Sequence, residues 1–240
     1  MKTQSKKHHL SDRKRKNLKG EHTRARVQEI ALKTFKENGF ENTSLRQLAE
    51  RCNISLGAFY YYFNSKEEII LELYNASALQ FQSETAKIFA EDNDFQSCLQ
   101  KIFTLRIETL SQHRELFKVL AKHALDLNSP ISPYSTHTKA IREISIGEFR
   151  KLIAHTRPKL TKELEESLPT LLWAMMMGLI LFWLLDSSKD QNKTKKIISF
   201  AVNTVARLLS ALNIPLIGQH LIPINEIMSL FASTAPEKKT

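Results

Sequence analysis

The sequence predicts an all-helical protein, and three observations carry that prediction. Glycine and proline number six and seven in 240 residues, too few for the turns of a sheet-rich fold. Apolar residues recur at helical spacing almost throughout. Ser44 with Gln47, and Ser65 with Glu68, each set a capping hydroxyl three positions before a side chain that reaches back, which marks a helix start. Apolar residues make up 42% of the chain, enough for a globular core.

The elements follow in order. Residues 1–20, MKTQSKKHHLSDRKRKNLKG, hold eight Lys/Arg against one Asp. Such a run repels itself and reads as a disordered basic arm suited to a polyanion. It lacks the apolar stretch of a secretory signal, so a cytoplasmic location is expected. Cys52 and Cys98, on separate predicted helices, agree with free thiols in a reducing compartment. The eight histidines form no cluster with metal-ligand spacing, so neither metal nor cofactor is expected.

Val27, Ile30, Ala31, Thr34 and Phe35 mark one face of a helix over 22–37, which Gly39 can end in a left-handed conformation. A second helix starts after Ser44, with Leu45, Leu48 and Ala49 facing inward. Ser55 caps a third, two-turn helix through Tyr62, and Ser65 opens a fourth that runs to about Ala90. Further helices are predicted over 95–112, 114–126 and 136–155, with the two-proline loop NSPISPYS (128–135) between the last two. The final pair is an apolar helix ending at Leu185 and a helix over 193–214. Residues 215–240 form a tail with one short apolar stretch, INEIMSLF, a possible short helix.

Three short helices with LRQLAERCNIS across the second turn form a helix-turn-helix, which lays its last helix in the DNA major groove. At about 100° per residue, Phe59 and Phe63 share a face and point inward with Ile54. Gly57, Tyr60 and Tyr61 fall on the other side. Gly57 and Ala58 let the helix approach closely, and the tyrosines offer hydroxyls to phosphates and rings to thymine methyls. Lys66, in the first turn of the fourth helix, adds charge where helix-end amides favour a phosphate. A single-strand platform would spread its rings over a groove instead.

Residues 22–74, HTRARVQEIALKTFKENGFENTSLRQLAERCNISLGAFYYYFNSKEEIILELY, resemble the DNA-binding domain of the TetR/AcrR family of transcriptional regulators. The resemblance lies in the Ala- and Phe-rich first helix, Gly-Phe, Thr-Ser before Leu-Ala, the small-residue turn, Ser-x-Gly-x-Phe-Tyr-x-Tyr-Phe and Asn-Ser-Lys-Glu-Glu. It implies that Thr43 and Ser44 cap helix two and touch the DNA backbone, that Gly57 and Ala58 face the groove, and that Tyr60 and Lys66 bind phosphate. Arg46, Ser55 and Tyr61 complete the expected DNA-facing set. Two positions depart from the family pattern. Tyr62 replaces a usual histidine, and Leu56 replaces a commonly polar residue, which shifts readout toward methyl contacts or DNA shape.

The resemblance further implies a homodimer formed by the last two helices and a helical domain that binds a small-molecule inducer. The expected interface residues are Gly178, Phe182, Leu185, Phe200, Val205 and Leu208. The expected walls of the inducer site are Phe103, Ile107, Phe117, Leu120, Phe149, Trp173 and Met177, chosen for apolar bulk. The uncharged window Ser167–Leu185 has 19 residues, near the length that crosses a bilayer. Pro169 and Thr170 shorten its apolar run, the next helix is lysine-rich, and an oligomer core also wants a helix apolar on every side. A dimer core is therefore the expectation, with no membrane. No phosphate-binding glycine loop, GxSxG elbow or HExxH motif occurs, so no enzyme is expected.

The layout expected is thus a basic arm (1–20), a helix-turn-helix domain (21–66), a ligand-binding and dimerisation helical domain (67–214) and a tail (215–240). The function expected is that of a sequence-specific regulator, a repressor released from a palindromic double-stranded operator by a small apolar inducer. Two alternatives carry the same charge: a peripheral membrane or scaffold protein using the arm and apolar helix, and a nucleoid-type binder with little sequence discrimination.

Overall fold

A computed structural model of the chain describes residues 2–212, with side chains over 20–211. Among the described residues the elements are nine α-helices and one 3-10 turn, with no strand. The predicted tail, 215–240, lies outside them. The chain divides into two compact units: residues up to Asn75 with His113–Lys139, and Ala76–Gln112 with the residues from Ala140 onward.

In the first unit α1 (Lys2–Asn38), α2 (Leu45–Arg51), α3 (Leu56–Tyr60), the start of α4 (Lys66–Glu91) and α6 (Arg114–Leu125) share one core. Val27, Ala31 and Phe35 recur along one face of α1 and are fully buried. Leu48, Ala49, Phe59, Phe63, Ile69 and Ile70 close on them. Truncating a ring such as Phe59, at 0% exposure, costs about 3–5 kcal/mol. Gly39 takes φ +84° and its N–H donates to the Phe35 carbonyl at 3.0 Å, which ends α1 as expected.

Two elements are placed differently from the expected layout. Residues 2–20, expected as a disordered arm, continue α1 as helical backbone. Lys, Arg, Gln and Leu are good helix formers, and no proline or glycine interrupts the run before Gly20. Helix α6, assigned to the second domain, packs on α1 instead, with Leu116 and Leu120 in the same core as Phe35.

The second unit holds the rest of α4, α5 (Phe95–Ser111), α7 (Lys139–Thr156), α8 (Lys162–Leu185) and α9 (Asn192–Leu212). Helix α9 buries Thr194, Ile198, Val202, Val205 and Leu209, spaced three or four apart. The α8–α9 corner is pinned by Asp186. Its Oδ1 accepts from Ser188 N–H at 2.9 Å, and its Oδ2 accepts from Thr194 N–H at 2.8 Å and the Thr194 hydroxyl at 2.6 Å. Helix α8 runs through Pro169. The ring is buried and takes away the donor to the carbonyl of Glu165, a residue exposed to solvent.

Candidate nucleic-acid interface

The turn between α2 and α3 is built by short-range chemistry. Ser44 caps α2 through the full reciprocal box, accepting from Gln47 N–H at 3.2 Å and donating its own N–H to Gln47 Oε1 at 2.8 Å. Asn53 takes φ +55°, a conformation asparagine tolerates well, and Ile54 N–H reaches the Ala49 carbonyl at 3.1 Å. Ser55 then caps α3 by accepting from Ala58 N–H at 3.1 Å. Helix α3 ends at Tyr60, two residues short of expectation, and Tyr61 and Tyr62 continue as a turn.

The rings divide as the helical period requires. Phe59 and Phe63 are fully buried, whereas Tyr60 is 47% and Tyr61 81% exposed. Leu56 and Gly57 are exposed beside them, and a Cβ added at Gly57 would meet nothing within 4 Å. Ser44, Arg46 and Ser55 are also exposed, and Ala58 is half-buried. Arg46 pairs with Glu50 at 3.2 Å, an exposed i,i+4 pair of small strength that leaves the guanidinium available. The Tyr62 ring is half-buried and meets Tyr61 edge-on at 5.2 Å.

Two expected contact residues are turned inward. Thr43 is 1% exposed, and its hydroxyl donates to the Gly39 carbonyl at 2.8 Å. It closes the left-handed turn at Gly39, and Ser44 alone caps α2. The Lys66 ammonium donates to the Phe40 carbonyl at 2.7 Å and lies 4.7 Å from that ring's centre, so the protein itself engages the charge expected at a phosphate.

Arg24 was not singled out by the sequence and is the hub of this unit. From α1 it donates to Glu72 at 2.7 Å, to Glu68 at 3.3 Å and to the Tyr62 carbonyl, with its guanidinium 4.1 Å from the Phe63 ring centre. The Glu72 hydrogen bond raises its pKa further. Burial disfavours the Glu68 carboxylate, but bonds from Asn64 and Arg24 outweigh that and hold its pKa below the usual range. Arg26 likewise donates to the Cys52 carbonyl at 3.3 Å. Glu68 and Glu72 sit four apart on α4, a spacing that places them on one face without saying what meets them.

The expected inducer walls do not form one set. Phe117 and Leu120 belong to the first unit, where Leu120 is core and Phe117 stacks on Tyr74 at 6.1 Å. Phe103, Ile107, Phe149, Trp173 and Met177 lie in the second unit. Phe103 and Phe149 meet edge-on at 5.9 Å and are almost without exposed surface, so they border no water-sized void. A shallow groove of ≈ 380 Å³ lies elsewhere, lined by Gln96 of α5 and Ala206, Arg207, Ser210 and Ala211 of α9.

Of the expected interface residues, Leu185 (84%), Phe200 (69%) and Leu208 (52%) are strongly exposed. Gly178 is exposed and Phe182 half-buried. Val205 is corrected: it is buried on the inward face of α9, in register with Val202 and Leu209.

Comparison with known proteins matches two stretches of the chain, the second of which includes α6. Residues 29–73 match the family described as bacterial regulatory proteins, tetR family, and residues 98–218 match the tetracyclin repressor-like C-terminal domain. The uncharacterized HTH-type transcriptional regulator YuxN of Bacillus subtilis (strain 168) is 31% identical over 94 residues, 39% of this chain and 32% of that protein. The HTH-type transcriptional regulator UidR of Escherichia coli (strain K12) is 30% identical over 104 residues, 42% of this chain and 51% of that protein. The chain thus spans about a third to a half of the length of these curated relatives. Among solved structures, PfmR from Thermus thermophilus aligns with a TM-score of 0.54 at 19% identity, covering 76% of this chain and 97% of that one. FadR from Bacillus subtilis, in complex with stearoyl-CoA, aligns with a TM-score of 0.59 at 14% identity, covering 73% and 95%. At these identities the likeness to solved structures is one of fold.

Proposed function

We infer that this chain, which belongs to the TetR family of bacterial regulatory proteins, is a helix-turn-helix transcriptional regulator that acts as a cytoplasmic homodimeric repressor. The observation that carries the reading is the surface of α3. Leu56, Gly57, Tyr60 and Tyr61 stand free around an open glycine while Phe59 and Phe63 anchor the helix from behind. A close-approach site rimmed by two phenols suits a major groove, with hydroxyls toward phosphates and apolar edges toward thymine methyls. Ser44, Arg46 and Ser55 flank it, and Tyr62 supports Tyr61.

Helix α8 passes for a bilayer span by length and hydropathy. We read it instead as half of a subunit interface. The matched C-terminal domain runs through all of it, and Leu164, Leu172, Trp173 and Trp183 bury its other face within the second unit. Gly178, Phe182 and Leu185 on α8, with Phe200 and Leu208 on α9, would meet their copies about a two-fold axis, so the operator is palindromic. Buried free thiols at Cys52 and Cys98 suit a reducing cytoplasm. The inducer is a small molecule with an apolar body, bound in the second unit. It releases DNA by favouring a dimer shape whose α3 spacing misses the helical repeat. Helix α4, shared by both units, is the element through which that preference passes.

Selection of the full chain against a random duplex library tests this. Enrichment of a two-fold-related sequence, bound by two subunits, is the expected result. Uniform recovery of all sequences would support a nucleoid-type binder, and co-sedimentation with membranes at high salt would support the scaffold reading.

A further inference from the structure

Arg106, in the middle of α5, is a buried cation without a counter-charge among the described residues. It is 8% exposed, and it takes part in none of the ion pairs there. Its Nη1 has only long contacts, to the Ser77 carbonyl at 3.3 Å and the Ser77 hydroxyl at 3.4 Å, and its Nε has no hydrogen-bond partner. The guanidinium lies 5.1 Å from the Phe81 ring centre. Burial pushes its pKa down to about 10, which leaves it charged at neutral pH.

A second deeply buried charge of the same unit, besides Asp186, shows what a settled one looks like. Glu148, 1% exposed, accepts from the Thr85 hydroxyl, from Gln82 at 3.2 Å and from Lys151 at 2.7 Å. Folding tolerates a buried charge when its hydrogen-bonding groups are met. Arg106 is left short of that, on a helix that otherwise buries Ile102, Phe103, Ile107 and Leu110.

Resting on the reading of this chain as a ligand-responsive regulator, we propose that Arg106 anchors the carboxylate of a small effector whose apolar body lies among Phe81, Phe103 and Ile107. A planar carboxylate matches the guanidinium fork with two parallel bonds, one of them to the vacant Nε. A neutral effector would leave the cation unmatched, and a phosphate dianion would bring more charge than one guanidinium answers. Because these side chains are closely packed, the effector enters by parting them, so its site belongs to a minor conformation that binding makes dominant.

Calorimetry on the full chain, without DNA, compares octanoate with octanamide and 2-naphthoate with 2-naphthamide. At least one acid is expected to bind about tenfold or more tightly than its amide, because the amide leaves the charge unpaired. Arg106→Met is expected to erase that preference while leaving heat stability unchanged or higher, since it removes an unpaired buried charge. The wild-type comparison stands even if that variant fails to fold. No preference for acid over amide in either pair overturns the proposal. So does a loss of stability in Glu226→Gln or Glu237→Gln that disappears in the Arg106→Met background, which would assign the partner to the tail. A chain that selects an operator yet shows no acid preference keeps the regulator reading and loses this one. The opposite result separates them the other way.

Discussion

The Arg24 guanidinium on α1 meets the Glu72 carboxylate on α4 through two bonds to one oxygen, from Nη2 at 2.7 Å and from Nε at 3.0 Å. With Glu68 and the Tyr62 carbonyl on the same guanidinium, the contact ties together α1, the end of the recognition segment and α4. These side chains are about a third exposed, so solvent screening limits the gain. Arg24→Met is expected to lower stability by about 1–2 kcal/mol in urea unfolding. The Glu68 pKa lies below its unfolded value. Its contribution is therefore complete above the unfolded carboxylate range and lost as pH falls below about 4. The variant should lose less stability over that window than the parent, and equal losses would separate Glu68 from Arg24.

Lys66 distinguishes a structural tie from a DNA contact. Its ammonium bonds the Phe40 carbonyl, so Lys66→Met is expected to cost about 1–2 kcal/mol of stability. The salt dependence of duplex binding should stay unchanged, because a lost phosphate contact would flatten the slope by about 0.9. A flattened slope would restore Lys66 to the interface.

Lys66 and Thr43 also mark where the sequence stops being legible. Caps, the helical period and the division of Phe59 and Phe63 from Tyr60 and Tyr61 are local and read directly from residue order. Whether a lysine meets a phosphate or a carbonyl 26 positions earlier depends on tertiary packing. The same limit hid Arg24, whose acidic partners lie 44 and 48 residues away, and the packing of Leu120 into the core that holds Phe35. Period shows that a helix has a buried face, not which neighbour covers it. Residues 2–20 failed for the reverse reason, since their charge masked a composition that favours helix.

Asp186, like Asp92, is a carboxylate of the second unit whose hydrogen bonds make that unit sensitive to acid. Hydrogen bonds from Ser188 and Thr194 hold its carboxyl well below the usual range. Its contribution is present above the unfolded value near pH 4 and fades as pH drops further. Asp186→Asn is expected to be less stable at neutral pH and to show a flatter fall in thermal midpoint between about pH 4 and 2. An unchanged fall would place the acid sensitivity elsewhere.

Deleting residues 2–19 removes eight cationic side chains at one end of α1. If the arm follows the duplex, affinity for all sequences should drop alike, and the log–log salt slope should flatten by about 0.9 for each phosphate released. Fluorescence anisotropy over a salt series reads this. An identical slope would leave the arm without a role in binding.

The most direct test is the affinity of Gly57→Glu for the selected operator, measured beside its thermal stability. The added side chain has open space around it, so stability should stay within about 0.5 kcal/mol of the parent. A carboxylate at the point of closest approach should repel the duplex and weaken binding by about 100-fold or more. A stable Gly57→Glu protein that binds the operator as tightly as the parent would contradict the placement of α3 in the groove.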